Sequence, residues 1–169
     1  KEPDDRSLTP RLGGELARAG EEVKSTELEK RGLRDRDGAD SQAWYERGEA
    51  SFDKQEYDQA IEEFSEAIRL DSDFCLAWIW RGSAYLLAAD FDKAVNDYSV
   101  AIRLEPENVE GWIRRGIAYK GASECSRIKD YALADCDQAI KDLSKAIRLK
   151  PDEPQGWYWR GSSYSSKGD

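Results

Sequence analysis

A five-residue phrase returns four times along this chain: WYERG at Trp44–Gly48, WIWRG at Trp78–Gly82, WIRRG at Trp112–Gly116 and WYWRG at Trp157–Gly161. The first two steps are 34 residues long and the third is 45. Self-similarity at such a period builds a fold from stacked supersecondary units, none of which can bury its own apolar face alone. Such a chain needs no central core, and its function resides on the surface that stacking creates.

Further markers keep the step. Ala60, Ala94 and Ala139 recur, then Ala67, Ala101 and Ala146, each opening a run that reads AIRL, with Pro106 and Pro151 (Ser72 in the first copy) two residues beyond the run. The order Trp, Gly, aromatic, Ala, aromatic or Leu, Ala, Pro over residues 41–169 resembles the tetratricopeptide repeat family. The resemblance implies an all-α fold, a right-handed superhelical solenoid of antiparallel helix pairs. One departure is consistent: Arg47, Arg81, Arg115 and Arg160 stand before the glycine, where the family usually has Leu.

The spacing divides the chain into a polar N-terminal segment or linker over 1–40, repeats over 41–74, 75–108 and 109–153, and over 154–169 the leading helix of a truncated fourth repeat or cap. In the first segment a helix near Arg11–Arg31 would use Leu12, Leu16, Val23 and Leu28, against the glycines that weaken it. The segment reads as a linker or as a strap that folds back onto the repeats. The third repeat carries an insertion: Trp112 to Ala139 spans 27 residues, where Trp44 to Ala60 and Trp78 to Ala94 span 16. Eleven residues are about three helical turns, since three turns take roughly 10.8. The apolar face is therefore barely rotated, and a protruding helical extension over Arg127–Leu149 is expected. Lys1 opens the chain and no methionine occurs, which points to a piece of a longer polypeptide.

Composition removes several function classes. The formal net charge is −9 with no block of basic residues, so nucleic acid and anionic membranes are disfavoured as partners. No apolar run approaches the roughly 18 residues of a membrane span and no signal pattern opens the chain, which suggests a cytoplasmic location. Cys75, Cys125 and Cys136 fit no zinc spacing and histidine is absent; they read as reduced thiols, and no metal or cofactor is expected. No GxSxG, GxxxxGK or GxGxxG stretch exists, so no catalytic residue is assigned and the chain is read as no enzyme.

Helix geometry sorts the aromatics. Trp44, Trp78, Trp112 and Trp157 are expected in the core, and residues two further on, about 200° around the helix, face away from them. The family resemblance implies that leading helices line a concave groove where partners bind. The stripe at one, five and eight residues past each Trp, joined to the row at two, gives the expected groove: Tyr45, Glu49, Phe52, Ile79, Trp80, Ser83, Ile113, Arg114, Ile117, Lys120, Tyr158 and Trp159. An apolar surface of this kind marks an interaction site. Some relatives grip the acidic tails of heat-shock chaperones with Lys, Asn, Asn, Lys and Arg; the matching positions here are Tyr45, Glu49, Trp80, Glu110 and Arg114, of which only Arg114 agrees.

A carboxylate tracks each arginine. Arg47 to Glu63 and Arg81 to Asp97 span 16 residues, and Arg115 to Asp142 spans 27, which is 16 plus the insertion. Ion pairs within each unit are expected. The resulting functional reading is a module that binds a peptide or helical segment of a partner protein in its groove. The alternatives are a homo-oligomerisation module acting through the open C-terminal repeat and the regulatory region of a larger enzyme.

Overall fold

The computed structural model describes residues 40–126 and 129–168. The helix expected at 11–31, the fold-back of the first 39 residues and the start of the expected extension at Arg127 lie outside them. The described residues form seven helices and no strand: α1 (40–53), α2 (Tyr57–Leu70), α3 (Cys75–Leu87), α4 (Phe91–Leu104), α5 (Val109–Cys125), α6 (Lys129–Leu149) and α7 (Pro154–Lys167). From α2 onward each helix packs on the next in the chain, and the leading helices α3, α5 and α7 also touch in series. This is an all-α solenoid.

Each trailing helix buries one stripe at i, i+4, i+7 and i+8: Ala60, Phe64, Ala67 and Ile68 in α2, with Ala94, Tyr98, Ala101 and Ile102 in α4 and Ala139, Leu143, Ala146 and Ile147 in α6. The alanines let helices approach, and the large residue between them fills the space over a glycine. A Cβ on Gly48, Gly82 or Gly116 would lie 2.5, 2.9 or 2.7 Å from Phe64, Tyr98 or Leu143. Cys75 and Cys136 are buried and Cys125 is exposed. The Cys75 thiol is pushed up to about 11 by burial, with Glu105 adding to it, which leaves it a neutral core group.

Chain ends of the helices follow local chemistry. Asp90 caps α4 by accepting from the Lys93 amide, Asn108 caps α5 by accepting from the Glu110 amide, and Pro154 opens α7. The leading helices α1 and α3 end in the same turn. The amides of Ala89 and Asp90 bond to the carbonyls of Leu86 and Tyr85, and those of Gln55 and Glu56 to Phe52 and Ser51. This closing pattern requires a left-handed residue, and Gln55 (φ 66°) and Ala89 (φ 60°) adopt that conformation without being glycine. Ala89→Gly should therefore raise stability by about 1 kcal/mol, read as a higher urea midpoint at constant slope. A fall would mean that the side chain at 89 carries packing worth more than the strain.

The inserted residues are helical on both sides of the hairpin. α5 is four residues longer than α3 (17 against 13) and α6 seven longer than α4 (21 against 14), which together make the eleven. The leading helix thus shares an extension expected only of the trailing one. The lengthened α5 lies against α4: Gly121 meets the Phe91 ring, which leaves no room for a Cβ there. Lys120, one residue earlier, bonds Glu124 within the added turn.

Candidate functional site

The repeated tryptophans lie at the margin of the core rather than inside it. Trp44 and Trp78 pack partly buried against the core clusters, and Trp157 is 50% exposed. Each indole carries a donor that burial would strand. Trp78, Trp112 and Trp157 solve this by donating Nε1 to the carbonyls of Ser72, Pro106 and Pro151, each at 2.9 Å, which ties the loop before each leading helix to that helix. The guanidinium three residues on covers the ring, at 4.9, 4.8, 5.2 and 4.6 Å from the centroid for Arg47, Arg81, Arg115 and Arg160.

The true core is the row one residue further along. Tyr45, Ile79 and Ile113 are 7, 3 and 2% exposed. Tyr45 packs at a tilt against Phe64 and Phe74, whose centroids lie 5.8 and 5.0 Å away, and Ile79 shares a cluster with Ala118 of the next leading helix. These three residues are therefore buried where the expectation opened the row onto a groove; Tyr45 and Ile79 pack into clusters shared with the next leading helix. Tyr158, the fourth member, is 67% exposed. Ser83 and Lys120 are also buried. Ser83 holds a hydrogen-bond network, and the added turn of α5 supplies Lys120 with its Glu124 partner.

What stays open on α3 is the stripe Leu76, Trp80 and Leu87, at i, i+4 and i+11 on one face. Leu76 and Leu87 are 47% and 54% exposed and Trp80 is half-buried between them. The Trp80 ring stands edge-on to Phe52 of α1, centroids 5.1 Å apart at 84°, and Phe52 stands edge-on to Tyr57 at 5.5 Å. From α5 the Arg114 guanidinium comes within 5.9 Å of the Trp80 ring. Arg114 donates to Glu110 at 2.5 Å and to Ser83 Oγ at 3.0 Å, and Tyr98 donates to the same oxygen at 3.2 Å. Beside them Tyr45 donates to Glu49 at 2.8 Å; burial first, then that carboxylate, raises the Tyr45 pKa and keeps it a donor.

The structure thus joins Phe52, Trp80, Ser83 and Arg114 around one aromatic centre, with Tyr45 and Glu49 alongside. Ile117 is half-buried on α5, while Tyr158 and Trp159 pair with each other at 5.1 Å on α7. Leu76 and Leu87 are absent from the groove expected from the sequence, and Glu110 enters there only as a position of the carboxylate clamp. The signal was present: Leu76 and Leu87 stand four residues before and seven after Trp80, the spacing of one helix face.

The arginine–carboxylate pairs form in two units. Arg81 grips both oxygens of Asp97 at 2.8 Å, and Arg115 grips Asp142 at 2.6 and 2.9 Å. Each sends its third nitrogen to a serine of the preceding trailing helix, Ser65 at 3.0 Å and Ser99 at 2.9 Å, so one side chain stitches three helices. The expected pair of Arg47 with Glu63 is not made. Glu63 accepts instead from Ser51 at 2.6 Å and Gln59 at 3.1 Å. Ser51 stands where the next units have Tyr85 and Tyr119, and its short hydroxyl captures the carboxylate. Among the described residues no cluster of Asp, Glu or Cys could hold a metal ion, and no helix is long and apolar enough to cross a membrane.

Family models described as TPR repeat and tetratricopeptide repeat match residues 48–88 with 130–168, and residues 76–108. Among solved structures the chain is similar to the Arabidopsis OM64 TPR domain, at 22% identity and TM-score 0.66, over 76% of this chain and 98% of that one. It is similar to the second TPR domain of human RPAP3, solved with the HSP70 peptide SGPTIEEVD, at 22% identity and TM-score 0.64, over 77% and 97%. A thermophilic TPR protein of Thermus thermophilus gives 20% identity and TM-score 0.69, over 76% and 66%. At these identities the likeness is one of fold. No curated protein matches the chain in sequence.

Proposed function

The chain belongs to the tetratricopeptide repeat family, and on that premise we propose that its leading helices bind a peptide or helical segment of a partner protein, anchored at Trp80. The observation that carries this reading is the contrast around that ring. Phe52 and Arg114 hold it in place, while Leu76 and Leu87 on the same face are left about half exposed. A rigid aromatic flanked by exposed leucines offers apolar contact at little entropic cost. Neighbours of the same fold solved with chaperone peptides, an HSP90 peptide SRMEEVD and an HSP70 peptide SGPTIEEVD, support a peptide as the kind of ligand.

The ligand chemistry differs from those acidic tails. Of the five positions that grip a carboxylate in such relatives, Glu49 and Glu110 here add negative charge, Tyr45 donates to Glu49, and Arg114 is engaged by Glu110 and Ser83. An incoming carboxylate would have to displace Glu110. The surface therefore suits a segment with two or three apolar anchors and neutral or basic flanks.

Panning a random peptide library on the protein tests this. Selected peptides should carry aromatic or branched apolar residues at spaced positions, and Leu76→Asp with Leu87→Asp should weaken them by about tenfold or more while the melting temperature moves little, since both leucines are exposed. Selection of acidic C-terminal peptides, or of peptides indifferent to the two aspartates, would place the site elsewhere.

A further inference from the structure

Around the Trp80 ring the charges do not cancel. On α5, Glu110 and Arg114 pair with each other. On α1, Glu49 is half-buried and meets no cation among the described residues; what it accepts is the neutral Tyr45 hydroxyl, at 2.8 Å. Glu46, three residues earlier, is exposed and accepts from Gln42, also neutral, at 3.0 Å. Between Gln42 and Phe52 the sole basic residue is Arg47, and its guanidinium lies over the Trp44 ring. Glu49 is therefore an uncompensated anion partly removed from water.

That anion stands beside the indole. Trp80 packs against the cluster that holds Tyr45. Beyond the effect of burial, Glu49 raises the Tyr45 pKa and the Trp80 side chain opposes it, so carboxylate and indole meet at one hydroxyl. A half-buried carboxylate next to a half-buried ring favours a cation twice over. The carboxylate supplies the opposite charge, and the ring adds an attraction that desolvation strengthens. The opening is set by neighbours already in place, because α3 meets α1 at Phe52 on one side and α5 on the other.

Resting on the function stated above for this face, we propose that the bound segment carries a lysine or arginine among its apolar anchors, with the cation seated between Glu49 and the Trp80 ring and the anchors on Leu76 and Leu87. Charge complementarity selects it. A purely apolar ligand would take Glu49 further from water with a single neutral donor to hold it, which is costly for a carboxylate. An acidic segment would meet Glu49 and Glu110 with like charge. A second copy presenting this same face would bring those two carboxylates against their own kind.

The probe is a random peptide library displayed on phage, panned in parallel on the whole protein and on its Glu49→Gln form. Glutamine keeps a carbonyl oxygen for the Tyr45 hydroxyl, so the variant removes the charge without stranding the phenol. Peptides selected on the unaltered protein should carry Lys or Arg at a fixed distance from an apolar residue, and those selected on Glu49→Gln should keep the apolar residue and lose the basic one. For a selected peptide, Glu49→Gln should weaken binding about fivefold, as should norleucine in place of its basic residue, and the two together should cost little more than either. Glu62→Gln, the same loss of charge at an exposed position on α2, should change affinity by less than about twofold. Peptides that lose binding with Leu76→Ser and Leu87→Ser but show no basic bias and ignore Glu49→Gln overturn this proposal and leave the function of the face standing. Peptides indifferent to the two serines as well as to Glu49→Gln remove both. Equal weakening by Glu62→Gln and Glu49→Gln also overturns it, by assigning the bias to the net charge of the protein.

Discussion

Asp97→Ala is expected to cost about 3–5 kcal/mol of folding free energy, the range for a buried ion pair that loses one partner. The side chains of Arg81 and Asp97 are only 17% and 6% exposed. Burial by itself works against the Arg81 charge, but the hydrogen bond and field of Asp97 outweigh it and raise the Arg81 pKa, so the guanidinium stays charged. Without Asp97 that cation would keep one bond to Ser65 and the face of Trp78. Urea unfolding followed by tryptophan fluorescence measures the loss. The exposed pair Arg69–Glu66, at 64% and 41%, provides the control and should change stability by less than about 1 kcal/mol when broken. Replacing both residues, as Arg81→Met with Asp97→Leu, should recover most of the deficit, because the damage comes from the stranded charge rather than from the worth of the pair. Equal losses for the single and double replacements would show that the stitch across three helices, and not the charge, is what matters.

The second large effect is at Ile113. Ile113→Ala removes three carbons from a side chain that is 2% exposed, and should cost about 2–5 kcal/mol. Leu87→Ala, at 54% exposure, should change stability by no more than about 0.5 kcal/mol. The pair tests which apolar row supports the stack. If the row of Tyr45, Ile79 and Ile113 lined an open groove, the two losses would be alike and small. In repeat proteins the interface between units sets cooperativity. Ile113→Ala should therefore also broaden the unfolding transition, whereas Leu87→Ala should leave its slope unchanged.

Trp78 and Trp80 form a poorer contrast than their two-residue spacing suggests. Both rings are half-buried, one under Arg81 and the other against Phe52. Truncating either removes packing, so stability alone cannot separate a structural tryptophan from a binding one. The exposed leucines on either side of Trp80 carry that distinction.

Much of this was legible in the residues. The 34-residue step gives the helix pairs, and the markers give their register. The tracking of Asp142 with Arg115 across the eleven extra residues shows that the insertion leaves the contact between the two helices in place, as the structure confirms. Three details depended on neighbours. Glu63 turns to Ser51 because the first unit lacks the tyrosine found in the second and third. Lys120 is buried because the extra turn of α5 brings Glu124 to it. The tryptophan row moved from core to margin, where the indole N–H of Trp78, Trp112 and Trp157 finds a loop carbonyl.

The chain's own order of residues determined the helices, their pairing, the contacts over Gly48, Gly82 and Gly116 and the arginine–aspartate pairs, which join positions 16 residues apart within a unit, or 27 where the insertion intervenes. Which apolar stripe of a leading helix is left to solvent was decided only by tertiary packing. A helix of period 3.6 presents several apolar stripes, and its own trailing helix and the trailing helix of the preceding unit cover much of the circumference of a leading helix such as α3, which the next leading helix also touches. Periodicity reports that a face is apolar. Whether it is buried, as at Ile79, or open, as at Leu76 and Leu87, depends on where the adjoining helix lies.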